Sequence, residues 1–535
     1  MDARATVSTL PSRCPESTER EHVPDKFRSI LFERPEDEIE TSAVAAPGYF
    51  ADLNCDQIVQ SIIAGWKEYD LARFFHAPLK RKDAILYRHE VMNDLEHAST
   101  RQAVTTFSHG MSSMRDGLLR AEKLHYAEQK QSWFLDAVQI YCDAVNRFAT
   151  DLEGVTVASR GLRGLRNYVR RYVRSAYFHQ LLAHTRKLKS ELATVTYSLR
   201  IKGSSFTVTP YHNERDYSAE VEASFAKFAQ GAVKDYRVGF SAVEEMNHIE
   251  AKIVEFVSKL YPEIFGNLAD FCSYHRNYLD RTIAEFDRQV HFYLAYLEYI
   301  APLRGAGLPF CYPSICEHTK QISAANCFDI ALARKLIGEQ RPVVCNDFAI
   351  REHERILLVS GPNQGGKTTF ARMFGQVHYL ASIGCLVPGG EASLSLFDQM
   401  FSHFEKEERV ENLRGKLEDD LLRAREILGR ATAKSVIIFN EIFTSTTIQD
   451  ELFLSEKVLR RIIEIDCLCV WVTFADELAS LAPAIVSIVS TVDPDDPATR
   501  TFRLERRPAD GLAYADAIAK KYRLTYSAIR ERIQS

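Results

Sequence analysis

The stretch Gly361-Pro-Asn-Gln-Gly-Gly366-Lys367-Thr368 constrains this chain more than any other. It fits the pattern G-x-x-x-x-G-K-[ST]. Such a loop works where a buried strand runs into a turn and a helix leaves it. The flanks supply both: residues 356–359 are β-branched and apolar, and a helix is expected from Thr368 onward. The glycines let backbone N–H groups converge on phosphate oxygens, and the helix N-terminus adds partial positive charge. Gly361, Pro362, Asn363, Gln364, Gly365, Gly366, Lys367, Thr368 and Thr369 are therefore the candidate nucleotide-binding residues. Lys367 is expected to reach the β- and γ-phosphates, and the Thr368 hydroxyl to ligate Mg²⁺. ATP and Mg²⁺ are the expected cofactors.

A second apolar run, residues 436–439, ends in Asn440-Glu441. In loops of this kind the strand end usually carries an aspartate that helps hold Mg²⁺. Glu441 is placed to orient or activate an attacking water and is the candidate catalytic residue. Thr368, Asn440 and Glu441 form the candidate metal set. Asn440 is the anomaly, because an amide accepts a hydrogen bond from a metal-bound water but brings no negative charge. Mg²⁺ is then held less firmly, and slow hydrolysis is expected.

At 535 residues the chain is long enough for roughly three domains. Its net charge of −5 means that any nucleic-acid surface must be a local patch. No apolar run approaches a membrane span of ~18 residues. Residues 1–20 carry no signal-like apolar core, and the 11 cysteines include no Cys-x-x-Cys pair. Reduced thiols and a cytoplasmic location follow as expectations.

Residues 1–45 are polar and aperiodic and are expected to be a disordered or loosely attached leader. From Cys55 the apolar spacing becomes helical and stays so to about residue 195. Residues 195–201 and 206–210 alternate around Gly203-Ser204-Ser205, the pattern of a hairpin inserted between helices. Leu279, Ile283, Phe286, Val290, Tyr293, Leu297 and Ile300 then fall at 4-3-4-3-4-3 spacing. That predicts either a lever-like helix with a coiled-coil seam, about 50 Å for some 35 residues, or a buried helix of an ordinary bundle. Beyond residue 340, short β-branched runs alternate with helices, as in a mostly parallel sheet.

The motifs together resemble the MutS family of DNA mismatch-repair proteins. Residues 361–369 are close to the family's T-G-P-N-M-G-G-K-S-T, and Gly384 with Val387-Pro388 matches its G-x-x-V-P. Asp398 and Phe401 match D-x-I-F; Asn440 to Thr447 sits where the family has D-E-I-G-R-G-T-S-T, with Asp450 on that loop's later Asp. Asp83, Ile85, Arg88 and Val91 look like the start of the family's core helical domain. The resemblance implies a fold class of α/β type: a P-loop (ABC-type) ATPase domain at the C-terminus, preceded by a mostly α-helical core/lever domain with a small β insertion. The implied domains are 46–315, with a clamp-like insertion at 196–235, and 316–535. It also implies a homodimer formed through the ATPase domain, with Thr446–Thr447 near the interface. ATP binding and hydrolysis would be coupled to grip on duplex, mismatched or branched DNA, in repair or recombination.

The departures are specific. No mismatch-reading Phe-x-Glu domain or Smr domain is expected in this sequence. Asn440 stands for the acidic metal residue, Phe474 for a His near the γ-phosphate, Val343 for an adenine-stacking aromatic, and Gly415 for a Ser acting in trans. Those losses motivate a second expectation, a nucleotide-gated protein-interaction scaffold with little hydrolysis. Residues 154–190 hold nine Lys or Arg and no acid. Arg163, Arg166, Arg170 and Arg174 fall on one helix face among Tyr168, Tyr172, Tyr177 and Phe178, a candidate DNA-phosphate surface. An acidic partner protein or a solvated face are the alternatives there. The acids at 405, 407, 408 and 411 read as a solvated loop.

Overall fold

A computed structural model describes residues 27–38, 45–215, 246–404, 415–493, 499–508 and 524–534, with isolated positions between 217 and 224 and at 495. The expectations placed on residues 1–26, most of 216–235 and the acids at 405–411 lie outside the described residues. The chain divides into two compact units. One comprises residues 98–157 with 163–284; the other comprises 28–97, 158–162 and 285–535. No helix among the described residues is long and apolar enough to cross a membrane.

In the first unit, α4 (Ala98–Lys123) and α5 (Ala127–Gly154) form a helical hairpin, following α1 (Cys55–Ile63), α2 (Ala72–His76) and α3 (Lys82–Glu96) of the second unit. Gly110 allows α4 and α5 to close up, since a Cβ there would lie 2.7 Å from that of Ala144. Phe107 and Phe148 stack beside it with centroids 4.4 Å apart. The hairpin expected near residue 200 is present as β1 (Tyr197–Lys202) and β2 (Ser205–Pro210), turning through Gly203 at φ 62°. Its register puts Tyr197, Leu199 and Ile201 opposite Pro210, Val208 and Phe206, one apolar face.

The long helix expected through Leu279–Ile300 begins only after Leu279 and has 25 residues, not about 35. Helix α8 (His248–Leu260) is followed by α9 (Pro262–Tyr274), and a new helix α10 starts at Arg281 and ends at Gly305. Asp280 is the reason. Its carboxylate accepts the Ile283 N–H at 3.0 Å, an N-cap that starts a helix, and the Tyr168 hydroxyl donates to both its oxygens at 3.0 Å. From Phe292 to Leu297 every residue of α10 is buried, so this stretch is covered on all sides and not on the single face of a two-stranded seam.

The second unit is α/β. Its main sheet has six strands in the order β10-β11-β12-β7-β13-β14. These are β7 (Ile356–Ser360), β10 (Met400–Phe404), β11 (Val436–Asn440), β12 (Leu468–Val472), β13 (Ile485–Val492) and β14 (Arg500–Arg506). The first five run parallel and β14 is antiparallel to β13. Strands β7, β11 and β12 are buried at every residue, as expected for a parallel sheet covered on both faces. Beside β3 (Phe310–Cys311), paired with β8 (Val387–Pro388), a smaller sheet joins β4 (Ser314–Cys316), β9 (Glu391–Ser395), β5 (Ile322–Cys327) and β6 (Asn346–Ile350) in that order.

Helix α12 (Lys367–Ser382) follows β7 directly, α11 being Ile330–Gly338. It is buried along most of its length. Its far end is held by Arg88 of α3, a fully buried guanidinium. Arg88 donates to the Ile383 carbonyl at 2.8 Å and to the Leu31 carbonyl at 3.3 Å, and lies over the rings of Phe32 and Phe292. Burial lowers its pKa. Gly384, at φ 73°, leaves room for it, since a Cβ there would meet that of Arg88 at 2.8 Å.

Two expected boundaries shift. Residues 29–32, inside the expected leader, are buried: the Tyr87 hydroxyl donates to the Ser29 carbonyl and that of Tyr293 to the Ile30 carbonyl. The apolar run Ile30-Leu31-Phe32 gains more by packing than its polar surroundings suggested. Residues 28–97 and 285–315 also group with the sheet and not with the helical unit.

Candidate functional site

The glycine-rich loop leaves the end of β7 and returns into α12. Gly361 has φ 117° and Gly366 φ 94°, both in the region that favours glycine. Gly365 is needed for space: a Cβ there would lie 2.4 Å from Ser490 Oγ and 2.9 Å from the Pro362 carbonyl. Ser490 belongs to β13, so the loop rests on the neighbouring strand. Asn363 and Gln364 form the exposed tip, and Arg500 of β14 ties it down by donating to the Asn363 carbonyl at 3.1 Å.

Lys367 opens α12 and folds back under the loop. Its Nζ donates to the carbonyls of Gly361 at 3.0 Å and Pro362 at 3.2 Å. The Phe474 ring covers it, with Nζ 4.1 Å from the centroid. Only 4% of the lysine is exposed, and desolvation lowers its pKa, opposed by the nearby Glu441 carboxylate. Thr368 and Thr369 follow in the first turn, half-buried.

Glu441 follows the last residue of β11. Its backbone N–H donates to the Val472 carbonyl at 3.0 Å, and its Oε1 lies 3.9 Å from Lys367 Nζ. The two residues singled out from separate motifs therefore face one another at one end of the sheet. Asn440 is buried just before it, and its Oδ1 has no hydrogen-bond partner. The Thr473 hydroxyl, at the end of β12, donates to Glu451 Oε1 at 3.2 Å. Thr447 caps α14 (Ile448–Ile465) by accepting the Asp450 N–H at 3.2 Å; α13 is Lys416–Arg430.

Several contributors were not expected from the sequence: Ser490, Arg500, Glu451, Thr473 and the pair His403–Asp420. Only Thr473, beside Phe474, lies in a motif, and each reaches the site from a different element. The buried Ser490 Oγ, which has no hydrogen-bond partner, supports the loop glycines only through the strand order.

Glu451 carries a measurable consequence. Its pKa is raised, first by burial and then by the charges of Glu441 and Glu477, against a lowering bond from Thr473. A carboxyl with a raised folded-state pKa favours the fold when protonated, and that advantage is lost as pH rises through the folded value. Glu451→Gln should therefore melt higher than wild type at pH 7–8, by on the order of 1 °C. The gain should shrink below about pH 4, where both proteins carry a neutral group. Melting curves across that range check the sign.

The four candidate phosphate-contacting arginines lie in the first unit, around α6 (Arg160–Val173), with α7 at Ala176–Ala193. Arg163, Arg170 and Arg174 are exposed and Arg166 is half-buried. Arg170 is paired with Glu153 at 3.1 Å. Three of the four aromatic residues among them are not part of that surface, and Tyr177 is half-buried. Tyr168, Tyr172 and Phe178 are buried, and the Tyr168 and Tyr172 hydroxyls serve Asp280 and Tyr141. Alternation of Arg and Tyr here is an amphipathic helix, with the rings as its core face.

Comparison with known proteins gives one family-model match, to MutS domain V, over residues 357–501. The DNA mismatch repair protein MutS of Listeria welshimeri is 29% identical over 203 residues, 37% of this chain and 23% of that protein. That of Brevibacillus brevis is 32% identical over 154 residues, 28% of this chain and 18% of its own. That of Chlorobium limicola is 25% identical over 293 residues, 54% of this chain and 31% of its own. The chain thus spans between about a fifth and a third of the length of these relatives.

Proposed function

From its membership of the MutS family, carried by the domain V match over residues 357–501, we propose that this chain is a Mg²⁺-dependent ATPase whose nucleotide state sets its grip on DNA. The observation that carries the reading is the approach of Lys367 Nζ to Glu441 Oε1, 3.9 Å, beneath a loop whose glycines let it lie close against Ser490. The parallel sheet, with this loop between β7 and α12, supports a P-loop fold of the ABC type.

The chain's own groups divide the work. Backbone N–H groups of residues 363–366 and the α12 N-terminus bind the phosphates. Lys367 leaves the Gly361 and Pro362 carbonyls to neutralise the terminal phosphate. Glu441 orients the attacking water and takes its proton. Thr368, Asn440 and Glu441 would hold Mg²⁺, which when bound supplies positive charge against the phosphate oxygens. The buried, partnerless Asn440 Oδ1 fits that role, as an acceptor waiting for a water on the ion.

A homodimer through the ATPase domain belongs to the same proposal. Ile448 is 73% exposed and Phe453 59% exposed on α14, just beyond Thr446–Thr447. DNA is the proposed partner, contacted in part by Arg163, Arg166, Arg170 and Arg174, and the site of action is cytoplasmic. A second reading, a nucleotide-gated scaffold with little hydrolysis, is favoured by Phe474 lying over Lys367 where a polar group could assist turnover.

The test combines turnover with DNA binding. ATP hydrolysis is measured alone and with homoduplex, mismatched and branched DNA, and affinities are taken with and without nucleotide. Affinity should change with nucleotide and fall at least about tenfold between 50 and 200 mM salt. DNA affinity blind to nucleotide sinks the gated reading, and nucleotide binding without turnover selects the scaffold.

A further inference from the structure

The turn that carries Glu441 is held in an unfavourable conformation. Glu441 has φ 54° and Phe443 φ 65°, and neither residue is Gly, Asn or Asp. Left-handed backbone at such residues is costly and persists only where the surroundings impose it. Three hydrogen bonds do so. The Glu441 N–H is fixed on Val472, and the Thr444 hydroxyl donates to the Glu441 carbonyl at 3.3 Å. The third comes from outside the turn: the Phe443 N–H donates to Asp420 Oδ2 at 3.1 Å.

Asp420 lies on α13 and is 5% exposed. Its other oxygen, Oδ1, accepts from His403 Nε2 at 2.7 Å. His403 sits on the edge strand β10, opposite Phe439 in the register, one residue before the Phe404–Asn440 pair. A buried carboxylate is costly unless both oxygens are occupied. Here one oxygen is filled by the turn and the other by a ring nitrogen carrying its proton on Nε2. Edge strand, helix and turn therefore meet at one carboxylate. In the sequence Asp420 follows Glu418 and Asp419 and looks like one more acid of a solvated helix start.

We propose that Asp420, oriented by His403, is a positioning residue for Glu441. It locks the Phe443 N–H, fixes the left-handed turn, and so holds the Glu441 carboxylate facing Lys367. The inference rests on the reading of Glu441 given above as the group that activates water. A positioning role of this kind acts on the chemical step and leaves phosphate binding at the loop untouched.

The test uses the full chain, a fluorescent ATP analogue for affinity and phosphate release for turnover. Asp420→Ala should lower kcat about tenfold or more while KM and analogue affinity stay within about threefold. His403→Leu should fall in the same way, and His403→Gln, which keeps a side-chain N–H donor, should recover most of the rate. The double variant should be no slower than Asp420→Ala, since both act through one contact. Hydrogen exchange at residues 439–446 gives a readout independent of turnover, and both disabling variants should speed it locally. If Asp420→Ala does not fold, His403→Leu carries the same comparison. Wild-type kcat in Asp420→Ala, parallel loss of kcat and affinity, or unchanged exchange in that turn each overturn the proposal. Glu441→Gln separates it from the reading beneath it. Wild-type turnover in that variant removes Glu441 from the chemistry, while the exchange data still decide what holds the turn.

Discussion

Lys367→Ala should weaken nucleotide binding by about 10- to 100-fold, the loss of one or two charge-assisted hydrogen bonds. Turnover should fall further, by about two to three orders of magnitude, because the lysine matters most where charge develops on the transferred group. The folded chain explains why so small a change has so large an effect. In the free protein the ammonium is nearly sealed, bonded to the Gly361 and Pro362 carbonyls and covered by Phe474. Its desolvation is already in place before a phosphate arrives, and binding exchanges two carbonyl partners for phosphate oxygens. Equilibrium titration with a fluorescent analogue and phosphate release at saturating ATP measure the two effects separately. A variant that bound nucleotide within threefold of wild type would remove Lys367 from the phosphate site.

Asn440→Asp should move stability and metal dependence in opposite directions. The Asn440 side chain is buried with its Oδ1 unpartnered. A carboxylate at that position, next to Glu441, adds a second buried negative charge with no donor. In the absence of nucleotide the variant should lose on the order of 2–4 kcal/mol, or protonate its new acid. With Mg²⁺ and ATP the same charge becomes a ligand, so the melting temperature should recover more than wild type gains. The Mg²⁺ concentration for half-maximal turnover should drop by about tenfold, equivalent to roughly 1.4 kcal/mol. Thermal melts with and without Mg²⁺–ATP, and turnover across a Mg²⁺ titration, check both signs. A variant as stable as wild type without nucleotide and indifferent to Mg²⁺ would place Asn440 outside the metal set.

Much of the second unit was readable from local pattern. The short apolar runs at 356–359, 436–439 and 467–473 became β7, β11 and β12 within a residue or two, because a strand buried on both faces leaves no polar position to confuse the reading. Lys367 and Glu441 were found separately, each from its own strand end. Their proximity depended on strand order, which places β12 between β11 and β7. What escaped the reading was long-range or local in a different sense. Asp420 and His403 meet only because helix α13 packs on the sheet edge. Asp280 was missed because an apolar 4-3 rhythm passed through it, and a single N-cap acid outweighed that rhythm. Tyr168 and Tyr172 were placed on the surface with the arginines because side-chain type, without a helical phase, does not say which face is core.

Arg88 sets a condition on how anything at the loop is felt elsewhere in the second unit. Helix α12 starts at the phosphate loop and finishes against this guanidinium, which also clasps the Leu31 carbonyl. A rod gripped at its tail cannot slide or swivel without either dragging α3 along or leaving a cation stranded among rings and carbonyls.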